Sequence, residues 1–272
     1  MARKGKLYAV IFHKDMEELK SNPLITLPLF LLPVVMAVIM PIVTLIPITG
    51  LNVEDYSIDV SKIQNVSIHS PIPIESLNPK QLLVVLVLNA FIPFFMVIPA
   101  VIPSVIAAHS FVGEKNSRTL EILLATPITE RDLLLGKVLS AFLPSVAASY
   151  ISFGLFSVTV DILTYPVFGT YIMPDFFWIL SVGLLTPLIS LLSIMSNVLI
   201  STKVNDVRAA QQLGSLVVVP VIVVFVLSAT RILEVNLFFL YIFAGVVSLL
   251  DFIIGFVAVK TFKREKMLLG RW

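Results

Sequence analysis

The side chains that could do chemistry lie in two places: one acid inside an apolar stretch, and one charged segment between two such stretches. Asp251 sits well inside an uncharged run, where an isolated acid near a helix centre costs about 2.5–3.5 kcal/mol. It indicates either a cation or proton site or a structural hydrogen bond. In the charged segment, Glu114, Arg118 and Glu121 recur at i, i+4 and i+7, which places them on one face of a helix. That face predicts a contact with a soluble partner, or else a solvated connector.

Catalytic and metal-binding patterns do not occur in the sequence. It has no cysteine, and its three histidines stand far apart, which excludes disulfides, zinc fingers and thiolate catalysis. Chemistry inside a membrane would need paired acids or a His/Glu cluster in the apolar stretches, and neither occurs. A phosphate-binding G-x-x-x-x-G-K-[ST] loop is also missing, because Gly136-Lys137 is followed by Val138 and lacks the upstream glycine. We therefore expect no enzyme and no metal site in this chain.

Composition places the chain in a membrane. Of its 272 residues 58% are hydrophobic and 13% are charged, whereas soluble domains have roughly 45–50% and about 25%. So much apolar surface must face lipid, which requires helices of about 20 residues. The sequence predicts an all-α polytopic membrane protein with six transmembrane helices, at 24–48, 82–109, 138–160, 176–202, 212–230 and 237–259. Prolines should break the first span and kink the second, through Pro93, Pro99 and Pro103.

The basic residues predict the orientation. All but three of the 19 Lys and Arg residues lie on one side of the predicted spans, the exceptions being Lys62, Lys80 and Arg231. By the positive-inside rule this side is the cytoplasm, so the protein is expected in the cell membrane with both termini cytoplasmic. The net charge is +2, and the basic residues lie at the ends of the predicted spans. The chain therefore has no basic domain that could bind nucleic acid.

The segments outside the spans have distinct characters. Residues 1–22 predict an interfacial amphipathic helix, or alternatively a solvated leader, and 260–272 form a cytoplasmic tail. In the amphipathic helix the apolar side carries Leu7, Tyr8 and Ile11, while Lys14, Asp15 and Glu18 are expected largely elsewhere. The outer loop 51–81 contains the sequon Asn65-Val66-Ser67, a candidate glycosylation site of a kind that is common by chance.

The inner loop 113–137 predicts a short amphipathic surface helix, then a turn, then the third span. Thr126-Pro127 should end the surface helix, since proline disfavours the α conformation in the preceding residue. Thr129, with Asp132 three residues on, resembles a capping box that starts the third span.

One face of the fourth span is small and polar. Its members recur at steps of three and four: Gly183, Thr186, Ser190, Ser193 and Asn197. Such faces let membrane helices approach closely, so the stripe predicts either helix packing or the lining of a translocation path. The candidate path residues are Ser190, Ser193 and Asn197 of this stripe, together with Asp251 of the sixth span.

The inner loop also resembles the signature of the type-two ABC transporter permeases, the membrane subunits of ATP-driven exporters. The matching positions are Glu114, Thr119, Leu120, Glu121, Leu123, Leu124, Thr126, Pro127, Gly136 and Lys137. Arg118 departs from the pattern, in which glycine is common. The match is close over this loop and loose over the rest of the chain.

The resemblance implies that the inner loop is a cytoplasmic coupling helix that docks on a separate ATPase subunit. It assigns ATPase coupling to Glu114, Arg118, Thr119, Glu121, Thr126, Pro127 and Lys137. ATP and Mg²⁺ would bind in that partner, with no cofactor in this chain, and two permease chains would form a homo- or heterodimer. The substrate is not implied. The alternative function is a stand-alone ion-coupled secondary transporter or channel that uses Asp251.

Overall fold

The computed structural model describes residues 7–50, 70, 72–73, 76–117, 119, 128–229 and 236–261. Every regular element in these ranges is helical, which confirms the predicted fold class. We number the helices α1 Leu7–Ser21, α2 Pro23–Gly50, α3 Pro79–Asn116, α4 Glu130–Phe168, α5 Phe176–Ser201, α6 in the two pieces Val207–Ser215 and Val218–Ala229, and α7 Leu237–Thr261. Within these ranges six helices, α2 to α7, are long and apolar enough to cross a membrane.

The outer surface of the bundle is strongly apolar. Phe30, Phe238 and Phe252 are 69%, 73% and 74% exposed, which water would disfavour and lipid tolerates. Helix α7 buries a single face, formed by Leu240, Ala244, Val247, Asp251 and Ala258, and this face packs on α5.

The second half of α3, Val97–Ala108, forms the centre of the bundle. Nearly all of its residues are buried, and it packs against α2, α4, α5 and α6. Next to it lies an aromatic cluster from α3, α4 and α5: Phe91, Phe95, Phe153, Phe156 and Trp178. The rings of Phe95 and Phe156 meet edge to face with 4.7 Å between centroids, a favourable aromatic geometry.

Prolines interrupt the first two spans as predicted. Helix α3 has a turn at Met96, because Pro99 has no N–H to donate to the carbonyl one turn earlier. Helix α2 contains the π-helical stretch Val35–Ile39 between Pro33 and Pro41. A second π-helical stretch, His109–Gly113, lies near the end of α3; such stretches are frequent at functional sites.

Helix α4 has well-defined ends. Thr129 is its N-cap, and the Thr129 hydroxyl accepts a hydrogen bond of 3.1 Å from the Asp132 N–H, which confirms the predicted helix start. The helix ends where Gly169 takes φ +68°, a left-handed conformation that favours glycine. Its 39 residues span about 58 Å at 1.5 Å per residue, so it extends beyond a hydrocarbon core of about 30 Å.

Helix α1 lies against the first turns of α4. A Cβ added at Gly136 would lie 2.8 Å from Ile11 Cβ and 2.9 Å from the Tyr8 carbonyl oxygen, so only glycine permits this approach. Ile11, Asp15 and Leu19 form the buried face of α1. The expectation that Asp15 lies away from Ile11 was therefore wrong, because the i, i+4 spacing places both on the face that packs against α4. We call this end of the bundle the α1 end.

Candidate functional site

Lys137 is the most completely buried charged side chain in the described residues, at 0% exposure. It lies on the third turn of α4, and its ammonium reaches the end of α3. Nζ donates to the Ser110 carbonyl oxygen at 2.7 Å, to Ser110 Oγ at 2.9 Å and to Glu114 Oε2 at 2.5 Å. It also lies 5.4 Å above the Phe111 ring centroid. An ammonium has three donors, and all three have acceptors.

Glu114 joins Lys137 to α1. Its carboxylate is 3% exposed; Oε2 accepts from Lys137, and Oε1 accepts from Lys14 of α1. We call Lys14, Glu114 and Lys137 the Glu114 bridge. Burial of the Lys14 ammonium works against its charge, but the hydrogen bond to Glu114 and the nearby carboxylates outweigh this and raise the pKa of Lys14 above its ordinary value of 10.5.

Asp15 extends the bridge through two hydroxyl groups. Asp15 Oδ2 accepts from Ser110 Oγ at 2.9 Å and from Ser140 Oγ at 3.1 Å, and lies 4.0 Å from Lys137 Nζ. Its other oxygen, Oδ1, is buried and has no hydrogen-bond partner among the residues that the structure describes, although Lys14 Nζ is 3.7 Å away. Residues from α1, α3 and α4 thus share one polar network.

The network balances its own charge. Asp15 and Glu114 supply two buried negative charges, and Lys137 and the half-exposed Lys14 supply two positive ones. Removing one partner from such a buried pair typically costs about 3–5 kcal/mol, because it leaves a charge without compensation. The three helices are therefore held together by contacts that are costly to break singly.

Three carboxylates of this region come within reach of one cation. Oxygens of Asp15, Glu18 and Glu114 all lie within 4.8 Å of one another. The Lys14 ammonium lies against all three: it bonds to Glu114 and lies 3.7 Å from oxygens of both Asp15 and Glu18. A lysine charge therefore already serves the role that a metal ion would have here.

The end of α3 also contacts the turn between α5 and α6. Asn116 Nδ2 donates to the Asn205 carbonyl oxygen at 2.6 Å, and Lys115 Nζ donates to the Ser201 carbonyl oxygen at 3.3 Å. Asn116 and Asn205 border a cleft of about 480 Å³, whose lining residues are Leu24, His109, Asn116, Asn205, Asp206, Val207, Arg208 and Gln211. Two connecting segments that are far apart in sequence thus meet at the α1 end.

The structure describes only part of the predicted coupling residues. Thr119 is exposed. Glu114 and Lys137 are buried in the bridge, so the side chain of Glu114 does not lie on the surface, where we had expected it to contact a soluble partner. Arg118, Glu121, Thr126 and Pro127 lie outside the described residues, as does the sequon residue Asn65. The ATPase-coupling role of the seven loop residues and the glycosylation of Asn65 remain predictions.

The polar stripe of α5 makes contacts inside the chain. Ser193 Oγ donates to the Ala100 carbonyl oxygen at 2.7 Å, and Asn197 Nδ2 donates to Ser104 Oγ at 3.0 Å. A Cβ at Gly214 of α6 would lie 2.0 Å from Asn197 Nδ2, so α6 also approaches this point closely. Ser193 and Asn197 therefore pack α5 against α3 and α6, which is one of the two alternatives for the stripe.

The other two candidate path residues have no such contacts. Ser190 Oγ and both carboxylate oxygens of Asp251 are buried without a hydrogen-bond partner among the described residues. Asp251 lies on the α7 face that packs on α5. The predicted role of Ser190 and Asp251 in translocation remains a prediction.

Sequence analysis did not identify Lys14, Asp15, Ser110 and Ser140 as site residues. The i, i+4, i+8 spacing of Ile11, Asp15 and Leu19 was a usable signal for Asp15. For Ser110 and Ser140 no pattern in the sequence distinguishes them from other serines of the spans.

The fold and this site define a multi-pass helical membrane protein in which buried charges join α1 to two spans. The chain matches the model of the ABC-2 family transporter protein family over residues 9–253 and belongs to that family, as the resemblance of its inner loop predicted. This match makes it an ABC transporter permease, a transport subunit. No curated protein matches the sequence.

Proposed function

We propose that this chain is the membrane subunit of an ABC exporter that moves its substrate on ATP hydrolysis by a separate ATPase subunit. The family match over 9–253 supports the permease role. The 272 residues contain no phosphate-binding loop, which supports a separate ATPase as the source of energy. That ATPase binds at the α1 end, on the coupling loop 113–137, and this end faces the cytoplasm.

The observation that carries this proposal is the position of Glu114 at the start of the coupling loop. Glu114 bonds to Lys14 of α1 and Lys137 of α4, so a force on the loop reaches two further helices through buried contacts. The π-helical stretch His109–Gly113 directly precedes it and supplies Ser110 to the same network. An ATPase that pushes on the exposed part of the loop, near Thr119, would thus move the bundle.

A working transporter needs a second permease chain. The apolar exposed faces of α2 and α7 give ample surface for pairing within the membrane, and we propose that the substrate crosses between the two copies. Export is proposed from the family resemblance of the coupling loop.

Purification from the native host tests the proposal. A tagged chain in mild detergent should retain an ATP-binding subunit in stoichiometric amount. Glu121→Arg, which reverses a charge on the predicted docking face, should release that subunit, whereas Glu17→Arg, on the exposed side of α1, should retain it. A wild-type chain that purifies alone would contradict the proposal.

One observation favours a different function, an ion-coupled transporter. The carboxylate of Asp251 is buried without a partner in the described part of the chain, as a site that waits for a cation or proton would be. Under that function the chain purifies without an ATPase, and Asp251→Asn abolishes ion-dependent uptake into vesicles. Retention of an ATPase by the wild type would exclude the stand-alone form.

A further inference from the structure

The cleft at the α1 end is lined by one basic and one acidic side chain. Arg208 and Asp206 both border it, and both are exposed. We call it the Arg208 cleft. The Asp206 Oδ1 atom accepts from the Arg208 N–H at 2.7 Å, but neither charged group forms an ion pair within the ranges that the structure describes. Both charges are therefore available to a ligand that carries their opposites.

The uncharged side chains of the cleft add a donor to the base and an acceptor to the acid. The side-chain amide of Gln211 lines the cleft with Arg208 and can donate. Asn116 uses its Nδ2 atom on the Asn205 carbonyl oxygen at 2.6 Å, so its Oδ1 atom can accept close to Asp206, the next residue in the chain. The cleft thus offers donors around one charge and acceptors around the other.

This arrangement indicates the chemistry of the ligand. A guanidinium binds a phosphate through two parallel hydrogen bonds, and a carboxylate accepts from an ammonium. A purely anionic phosphate ligand would meet the carboxylate of Asp206, and like charges in contact are unfavourable. A phosphate that carries a primary ammonium a few bonds away finds a partner for each charge. The volume of about 480 Å³ lies within the range of roughly 300–1,000 Å³ that is usual for small-ligand sites.

The cleft lies at the depth of lipid headgroups. Leu24 and Arg208 are each the second residue of a candidate span, and Asn116 is the last residue of another. The polar headgroup region of a bilayer begins where the hydrocarbon core of about 30 Å ends, so residues at the ends of spans reach it. A phosphate bound by Arg208 is therefore within reach of phospholipids in the leaflet at the α1 end.

Apolar surface continues from the cleft on both helices that flank it. On α2, Leu24, Leu27 and Leu31 follow one another on one exposed face, at i, i+3 and i+7. On α6, Leu216 and Val219 are exposed in the same direction along the chain, away from the cleft. Since the α2 face is also proposed to pair with a second chain, the α6 side is the one left for the acyl chains of a lipid.

Apolar packing fixes the walls of the cleft. Ala108 and Val112 of α3 are fully buried together with Ala210 of α6, and Val204 and Val207 pack against them. Val207 also lines the cleft. Because this packing joins α3 directly to the α5–α6 turn and to the first turn of α6, the cleft has its shape before a ligand binds, which lowers the entropic cost of binding.

We propose that the Arg208 cleft binds the headgroup of a phosphatidylethanolamine-type lipid from the leaflet at the α1 end. Arg208 and Gln211 hold the phosphate, and Asp206 and Asn116 accept from the ammonium. The lipid is a bound partner of the bundle and not the transported substrate. The inference therefore goes beyond the proposed function and holds with or without an ATPase.

Native mass spectrometry of the full chain in mild detergent, with any subunit that it retains, tests the choice of headgroup. The delipidated protein receives an equimolar mixture of dioleoyl phosphatidylethanolamine, phosphatidylcholine and phosphatidylglycerol, which differ only in the headgroup. The phosphatidylethanolamine adduct should exceed each of the others by about fivefold or more, because phosphatidylcholine has no N–H to donate and phosphatidylglycerol has no cation. Free phosphoethanolamine at the same concentration should not displace it, because it lacks the acyl chains.

Two variants separate the two halves of the cleft. Asp206→Asn keeps the helix cap, since asparagine caps as well as aspartate, but removes the charge, so the three adducts should become nearly equal. Asp175→Asn, at the N-cap of α5 on the opposite end, is its control and should keep the preference. Arg208→Gln should lower all three adducts together. Lys203→Gln, an exposed cation of the same turn outside the cleft lining, should bind as the wild type does.

Equal adducts of the three lipids in the wild type would overturn the inference, as would an Asp206→Asn variant that keeps the preference while it melts like the wild type. Displacement by free phosphoethanolamine would assign the cleft to a soluble ligand instead. An adduct that is lost whenever an ATPase is bound would assign the cleft to that subunit. A chain that purifies without an ATPase would contradict only the proposed function, because the lipid adducts can still be measured on it.

Discussion

The α1 end and the α5 stripe both bury polar groups, but they do so in opposite ways. At the α1 end the groups are charged, and Asp15, Glu114 and Lys137 bond across three helices. Along α5 they are neutral, and the hydroxyls of Ser181, Thr186 and Ser190 have no hydrogen-bond partner in the described part of the chain. Charged pairs resist separation, whereas small hydroxyl faces allow helices to pack closely. The comparison indicates an end held by charged contacts and a more permissive interior, and in the proposed function the ATPase acts on the former.

The largest effect is expected from Lys137→Met at the α1 end. It leaves Glu114 and Asp15 without their buried ammonium, which should destabilise the protein by about 3–5 kcal/mol. Thermal unfolding in detergent, followed by circular dichroism, measures the loss. Lys20→Met, on the exposed side of α1, is the matched control and should unfold as the wild type does. Equal melting temperatures of Lys137→Met and Lys20→Met would contradict the claim that buried charged contacts stabilise the α1 end.

Glycine substitutions compare the close approaches in the two regions. Gly136→Ala presses on Ile11 and the Tyr8 carbonyl oxygen, and Gly214→Ala presses on Asn197 and Ser104; each should cost about 1–3 kcal/mol through overpacking. Gly154→Ala, on α4 with nothing within 4 Å of the new Cβ, should be neutral or slightly stabilising.

The melting temperatures of the three variants in one detergent test this order. Gly136→Ala should in addition weaken binding of the ATPase, because it displaces α1 from α4. Gly214→Ala should leave that binding unchanged. A Gly136→Ala variant as stable as Gly154→Ala would mean that α1 does not lie against α4 as described.

Serine substitutions test how permissive the α5 stripe is. Ser193→Ala loses its bond to the Ala100 carbonyl oxygen and should cost about 0.5–1.5 kcal/mol. Ser190→Ala removes a hydroxyl that has no hydrogen-bond partner within the described ranges and should be neutral or stabilising. A large loss on Ser190→Ala would show that this hydroxyl makes a contact that the single chain lacks, for instance with a second copy or a bound ion.

The smallest effect concerns pH. Since the pKa of Lys14 is raised in the folded state, its contribution to stability is fully present below the ordinary value of 10.5 and is lost only as the pH rises through the folded value. Stability should therefore depend equally weakly on pH in wild type and Lys14→Met from pH 6 to 9, with the two curves parallel. Unfolding curves at several pH values test this, and curves that converge across that range would contradict it.

Much of the fold followed from hydropathy and turn chemistry. Six apolar stretches became six candidate spans, prolines lie beside the π-helical stretch of α2 and the turn of α3, and Thr129 caps α4. These are local properties, which the chain expresses with its own near neighbours. The resemblance to the family signature, and not local reasoning, placed Glu114 and Lys137 in one motif, and it did not indicate that they bond to each other.

The site could not be predicted in full because its contacts are long-range. Asp15 and Ser140 are brought together by the packing of α1 on α4, which depends on Gly136, and single-sequence periodicity does not reveal which helices meet. Acidic residues near a membrane border are also ordinarily solvated, so burial of Asp15 contradicted the usual expectation for its type. The Gly-Lys of the coupling motif now has a physical reason: glycine admits α1, and lysine bonds to Glu114.

The most direct test of the account is a crosslink from the two ends of the bundle to the ATPase. A photoreactive maleimide on Thr119→Cys, in the exposed part of the coupling loop, should capture the ATPase subunit from the native membrane. The same reagent on Tyr171→Cys, 75% exposed at the opposite end, should capture none. Capture from Tyr171→Cys, or from neither position, would contradict the assignment of the α1 end as the site where the ATPase drives this permease.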